Sequence, residues 1–136
     1  MVKISVIVPA HNEEKFIGAC LDSILAQNYP DLEVIVVNDG STDRTREIVE
    51  SYGDRVRLIN FDRGHSAAFA RNAGARIATG QILVFIDADE EIAAPNFFDR
   101  IVSDFRKYNV KMMGINVKSK PKKSLFSRCY ESDAIE

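Results

Sequence analysis

The chain has 136 residues, enough for one domain whose core needs no disulfide or metal staple. Its 46% apolar and 28% charged residues are those of an ordinary globular protein, and a formal net charge of −2 argues against a nucleic-acid partner. Its two cysteines and two histidines, Cys20, Cys129, His11 and His65, show no CxxC and no metal-ligand spacing, which removes zinc from consideration.

Ile4–Val8 reads as a first strand closed by Pro9, which cannot continue a ladder. The apolar run is too short for a signal peptide, and nothing approaches the roughly 18 apolar residues of a membrane span. The expectation is a soluble cytoplasmic protein, with a longer or membrane-anchored parent left open. Asn12 reads as the N-cap of a first helix, with Glu13 and Glu14 in its first turn and an apolar stripe running to about Gln27. Cys20 lies in that stripe with Phe16, Ile17, Leu21, Ile24 and Leu25, as a small buried hydrophobe.

After a loop at Asn28–Asp31, Leu32–Val37 is a second buried strand that ends in Asn38-Asp39-Gly40. Ser41 or Thr42 caps a second helix from Asp43 to near Tyr52, and Arg57–Phe61 is a short third strand. Arg63-Gly64-His65 makes a turn into a third helix, Ser66 to Ala78, rich in Ala and Gly and therefore able to approach a sheet closely. Thr79-Gly80 stops it.

Ile82–Ile86 is a fourth strand, read as buried on both faces because it does not alternate. It runs into Asp87-Ala88-Asp89-Glu90-Glu91. Side chains two apart share a direction in extended chain, so Asp87 and Asp89 converge just past the strand. Two hard oxygen donors there suit Mg²⁺ or Mn²⁺ carrying a diphosphate; the alternative is an ordinary acidic turn. Pro95 opens a fourth helix with core face Phe98, Ile101, Val102 and Phe105. Lys111–Val117 is a fifth strand, Lys118–Lys123 a basic loop, and Ser124–Glu136 the start of another helix.

Strands alternating with helices imply right-handed βαβ units: an α/β fold of three layers, a mostly parallel sheet flanked by helices. Pro9–Glu13, Asn38–Asp43 and Asp87–Glu91 all come directly after buried strands, and open α/β sheets bind ligands at such carboxyl ends. No GxGxxG and no GxxxxGK[ST] is present, so neither a dinucleotide-cofactor fold nor a P-loop is indicated. No Ser–His–Asp or Cys–His arrangement points to nucleophilic hydrolysis.

Val8-Pro-Ala-His-Asn-Glu13, Val37-Asn-Asp-Gly-Ser-Thr-Asp43, Ala70-Arg-Asn-Ala-Gly74 and Asp87-Ala-Asp89, in order and in register, resemble the family 2 glycosyltransferases over residues 3 to about 117. The run from Gly64 through Gly80 into Asp87-Ala88-Asp89 also resembles the polyprenyl-phosphate (dolichol-phosphate) mannosyltransferase branch. The resemblance implies a GT-A fold and an inverting, metal-dependent transfer from a UDP- or GDP-sugar, with a slight lean to UDP. It implies that Asp39 accepts from the base imino N–H, that Pro9, Ala10 and Asn12 wall the base and ribose, and that Glu13 lies near the ribose hydroxyls. Arg71 would reach the base or a phosphate. Asp87, Ala88 and Asp89 would meet the diphosphate, with Asp87, Asp89 and Glu91 as metal ligands and Glu90 facing solvent.

The resemblance divides the chain into a donor-binding unit, 1–117, and the start of an acceptor-side segment, 118–136. The acceptor would be a carbohydrate or a lipid phosphate. Glu131 and Asp133 resemble no catalytic base, so none is identified. Lys118, Lys120, Lys122 and Lys123 suit either a solvated loop or an anionic membrane surface. The competing readings are a nucleotide-sugar binding fragment without turnover and a sugar-nucleotide pyrophosphorylase, whose glycine-rich basic loop after strand one is absent here.

Overall fold

The computed structural model describes residues 1–109. The expected fifth strand, the basic loop, the final helix and Cys129 lie outside them. Four strands, β1 (Ile4–Ala10), β2 (Leu32–Asp39), β3 (Arg57–Phe61) and β4 (Ile82–Phe85), form one sheet in the order β3-β2-β1-β4. Every pairing is parallel, with Ile4 opposite both Leu32 and Ile82, and Asp39 opposite Phe61. The helices are α1 (Ile17–Leu25), α2 (Thr45–Glu50), α3 (Ala67–Ile77) and α4 (Phe97–Tyr108). No helix of the described residues is long and apolar enough to cross a membrane.

The pleat sends alternate residues of β1 and β2 to opposite faces, and each face has its own core. Ile4, Val6, Val8, Val34 and Val36 pack with Ile17, Leu21 and Ile24 of α1 and with Phe98, Ile101 and Val102 of α4. Ile7, Ile35 and Val37 pack on the other face against Ala70 of α3. The three-layer α/β plan is therefore present. The small residues of α3 also do what their composition suggests. A Cβ on Gly74 would stand 2.5 Å from Ile7 Cγ2, so the helix lies on β1 at a distance only glycine permits. Ser66 caps α3, its hydroxyl accepting from the Phe69 N–H at 3.1 Å. Ser66→Ala should cost about 1 kcal/mol, read as a lower urea midpoint at unchanged slope.

Pro9 does not close the first strand: β1 continues through it to Ala10, with Pro9 opposite Val37 and Ala10 opposite Asn38. Three further local expectations are corrected. Asn12 does not cap α1, which starts at Ile17 with no side-chain cap. Asn12 is instead in the left-handed region at φ 51°, and its Oδ1 accepts from the Thr42 N–H at 2.8 Å and the Asp43 N–H at 3.3 Å. A better use of that oxygen exists across the sheet, because parallel register brings the ends of β1 and β2 together. Neither Ser41 nor Thr42 caps α2. Its N-cap is Arg44, and Asp43 just before it accepts from the Thr45 N–H at 2.9 Å and from the Thr45 hydroxyl at 2.5 Å.

The last of these corrections concerns β4, expected to be buried on both faces. Val84 is buried, but Leu83 and Phe85 are 39% and 44% exposed. The reason is topological: α3 packs on β1 and β2, and β4 is the edge of the sheet among the described residues. The apolar run that suggests two-sided burial says nothing of which neighbours supply it.

Candidate functional site

Because β1 pairs with β2 on one side and β4 on the other, the strand order reverses beside β1, and a crevice opens at the carboxyl ends there. It is a cleft of about 290 Å³ walled by Pro9, Ala10, His11 and Glu13 from the end of β1 and by Asp39 from the end of β2. Ser66, Ala67, Ala70 and Arg71 of α3 and Asp87, Ala88 and Asp89 beyond β4 complete it. Of the residues singled out from sequence, Pro9, Ala10, Glu13, Asp39, Arg71, Asp87, Ala88 and Asp89 are thus brought together. Asn12 and Glu91 are not on its wall, and Asn12 is committed to the Thr42–Asp43 amides.

Asp39 is the most enclosed carboxylate of the cleft, its side chain 6% exposed. His65 holds both of its oxygens: the His65 amide donates to Oδ2 and ring Nδ1 to Oδ1, each at 2.9 Å. Burial by itself would raise the Asp39 carboxyl, but the His65 donors and the Ser66 amide more than offset it, and its pKa lies below the ordinary 3.8. Asp43 and Glu33 behave alike. Burial raises each, yet hydrogen bonds from Thr45 to Asp43, and from Ser5 and Thr79 to Glu33, leave both below their ordinary values.

A carboxylate held lower in the folded state stabilises it above its unfolded pKa and loses that contribution as pH falls through the folded one. Acid unfolding should therefore set in below about pH 4, the ordinary carboxylate range. Asp43→Asn should flatten the slope of stability against pH in that window, measured by urea melts from about pH 5 to about pH 2.5. An unchanged slope would sink the assignment.

The acidic turn after β4 is organised, contrary to the expectation that Glu90 simply faces solvent. The Asp87 amide donates to Glu90 Oε2 at 3.2 Å. Burial, followed by the nearby Asp87 and Asp89 charges, raises the Glu90 carboxyl despite that hydrogen bond. Asp87 Oδ1 accepts from Arg71 Nη2 at 2.9 Å across the cleft. Arg71 is therefore no idle surface charge. Behind the turn, Cys20 is wholly buried, its thiol pushed up to about 12 by burial first and then by Glu90, Asp89, Asp87 and Glu91. Burial and a raised thiol pKa both disfavour the thiolate, which suits a packing cysteine.

Among the described residues, no three His, Cys, Asp or Glu side chains stand together as a complete metal cage. Asp87 and Asp89 nonetheless bring carboxylate oxygens to the wall of an open cleft. Mg²⁺ and its relatives bind through one or two carboxylates plus water and substrate phosphate. The donor chemistry of the two carboxylates fits such an ion.

Sequence reasoning missed His11, His65, Ser66, Ala67 and Ala70. His11 has no metal-ligand spacing to draw attention to it, yet its Nδ1 donates to the Asp39 carbonyl at 2.7 Å. His65 stacks on Phe69 with centroids 4.0 Å apart and meets Phe61 edge-on at 5.4 Å. The one local signal is its glycine neighbour: Gly64 passes so close to Gly40 that a Cβ on Gly40 would lie 2.1 Å from the Gly64 nitrogen.

A sequence model of the family described as Glycosyl transferase family 2 matches residues 5–129. The uncharacterized glycosyltransferase EpsJ of Bacillus subtilis (strain 168) is 37% identical over 114 residues, 82% of this chain and 33% of that protein. The mannosyltransferase PcManGT from Pyrobaculum calidifontis, solved in complex with GDP-Man and Mn²⁺, superposes with a TM-score of 0.72 at 34% identity. That match covers 76% of this chain and 32% of the other. S. aureus TarS 1-349 in complex with UDP gives a TM-score of 0.71 at 31% identity, covering 93% of this chain and 40% of that one. The chain spans about a third of the length of EpsJ and of two other curated relatives, and less of several more.

Proposed function

The chain belongs to glycosyl transferase family 2, and from that membership we propose that its cleft binds the nucleotide of a UDP- or GDP-sugar for inverting transfer to an acceptor hydroxyl or phosphate. One observation carries this reading. Polar residues from three separate strand ends meet in a single cleft lined both by an enclosed carboxylate, Asp39, and by a carboxylate pair, Asp87 and Asp89. An apolar wall, one buried acceptor and a cation-suited pair are what a base joined to a diphosphate requires.

In this reading Asp39 accepts the base imino proton, and Pro9 and Ala10 pack against the base and ribose. Glu13 receives the ribose hydroxyls. Asp87 and Asp89 hold Mg²⁺ or Mn²⁺ on the diphosphate. When bound, the ion neutralises charge growing on the leaving diphosphate. Arg71, now on Asp87, stands within the same cleft as a second positive group for phosphate oxygens. A hydroxyl acceptor needs a carboxylate base on the far side of the sugar, which a phosphate acceptor does not. Acceptor and base are assigned to chain outside the described residues.

The test is isothermal titration of the chain with UDP and with GDP, each in Mn²⁺ and in EDTA. Metal-dependent binding of either supports the reading. Equal binding in EDTA removes the metal from it, and no binding of either nucleotide overturns it for this chain. Arg71→Ala should weaken binding by roughly tenfold, the scale of a lost charge-assisted contact, with little change in melting temperature.

A further inference from the structure

We propose that Glu90 is a positioning residue of the cleft: its side chain closes the turn after β4 onto the Asp87 amide, and so fixes how Asp87 and Asp89 present their carboxylates to a divalent cation. The inference rests on the donor-cleft reading above and deepens it.

The two aspartates are related by a turn and not by the pleat of a strand. β4 ends at Phe85, and the Ile86 amide makes one more bond to β1, donating to the Ile7 carbonyl at 3.1 Å. The next amide, that of Asp87, has left the ladder and donates to Glu90 Oε2 at 3.2 Å. In return the Glu90 amide donates to the Asp87 carbonyl at 3.0 Å. Asp87-Ala88-Asp89-Glu90 is therefore a four-residue β-turn, with Asp87 at its first position and Asp89 at its third. Many such turns have one closing hydrogen bond or none. This one has two, and Glu90 supplies a partner to both.

Two further contacts hold the same few atoms. Ala88, between the aspartates, is buried in the core on the α1 side of the sheet. From α1, Cys20 Sγ makes a weak donation to the Asp87 carbonyl at 3.6 Å. Arg71 engages the Asp87 side chain, whereas Glu90 engages its backbone. Asp87 and Asp89 line the cleft and Glu90 does not, so Glu90 acts through Asp87 and not on a ligand. The ion is what makes this matter. Small divalent cations demand near-ideal ligand geometry, and a site keeps its affinity only where the groups behind it lock that geometry. What the turn needs from Glu90 is an acceptor oxygen at that chain length, not a charge.

The test is titration of the chain with UDP and with GDP over rising Mn²⁺ and in EDTA, repeated for Glu90→Met and Glu90→Gln. Both variants keep the length of the side chain, but only Gln keeps an oxygen for the Asp87 amide. Glu90→Met should raise the Mn²⁺ needed for half-maximal nucleotide binding by roughly tenfold, the lower end of what groups behind metal ligands contribute. Glu90→Gln should recover most of that loss. Direct ligation or a pure charge effect would leave Gln as weak as Met and overturn the inference. So would a folded Glu90→Met that needs no more Mn²⁺ than the unaltered chain. If Glu90→Met does not fold, Glu90→Ala is read in its place; loss of fold in both would also overturn the inference, because Glu90 would then support the domain and not the turn. In the unaltered chain, equal binding in EDTA would remove the metal and this inference together. Binding of neither nucleotide would overturn the donor-cleft reading itself.

Discussion

Asp89→Ala is expected to lower Mn²⁺-dependent affinity for nucleoside diphosphate by at least roughly a hundredfold, since even partners of metal ligands are worth ten- to a hundredfold. The reason lies in the turn after β4. Asp87 gives one oxygen to Arg71 at 2.9 Å, so the carboxylate pair cannot surrender all four oxygens to a cation while that ion pair stands. Removing Asp89 would leave an already engaged Asp87 as the cleft's remaining carboxylate beside the diphosphate. Asp89 is only half-buried and lies outside the strands and helices, so its loss should scarcely move the melting temperature. Asp89→Asn keeps the shape and removes the charge, and should behave like the alanine variant. Titration in Mn²⁺ and in EDTA separates the outcomes. If Asp89→Ala binds as the parent does in Mn²⁺, the acidic turn is only a turn.

Gly40→Ala should be the most damaging single substitution at the cleft, lowering stability by about 3 kcal/mol or more and abolishing binding at any metal concentration. Two effects add. Gly40 sits at φ 68°, where a side chain costs about 1–3 kcal/mol. Its Cβ would also stand 2.1 Å from the Gly64 nitrogen and 2.2 Å from the Arg63 carbonyl carbon, atoms of backbone that no rotamer change can move. Relieving the overlap means pushing the Arg63–Gly64 turn away, and with it the His65 amide that holds Asp39. A fall in melting temperature of about 10 °C or more is expected for a domain of this size. Gly53→Ala is the control: Gly53 also has positive φ, at 59°, but meets nothing within 4 Å, so only the conformational part of the cost should appear. Equal losses in the two variants would refute the close approach as a cause.

The pieces of the cleft are largely legible in the unfolded chain. Ile4–Val8 and Val34–Val37 carry continuous apolar runs, and such runs between helical stretches leave few options other than a covered parallel sheet. Arg57–Phe61 is delimited correctly by its flanking turns, and the buried face of α4 agrees with its period. Asp39, Asp87 and Asp89 can be singled out because they come at the end of continuous apolar runs, where the run gives a carboxylate no packing reason to be. Helix starts are less legible. Asn12 and Ser41 both look like caps, and which amide a short polar side chain serves depends on the groups within about 3 Å of it, not on its neighbours in sequence.

The chain alone determined the alternation of strand and helix, the three polar strand ends and, through its four motifs, membership of the family. These are local patterns, each contained in about a dozen residues or fewer. Only the tertiary structure decided how those ends are joined to one another. Asn12 bonds to amides 30 and 31 residues away, Arg71 reaches an aspartate 16 residues on, and His65 grips a carboxylate 26 residues back. No sequence period encodes such distances. They arise from parallel register, which sets Asp39 opposite Phe61, and from crossovers that return each turn to the same edge of the sheet. The exposure of Leu83 and Phe85 has the same origin, because burial of a strand is a property of its neighbours rather than of its residues.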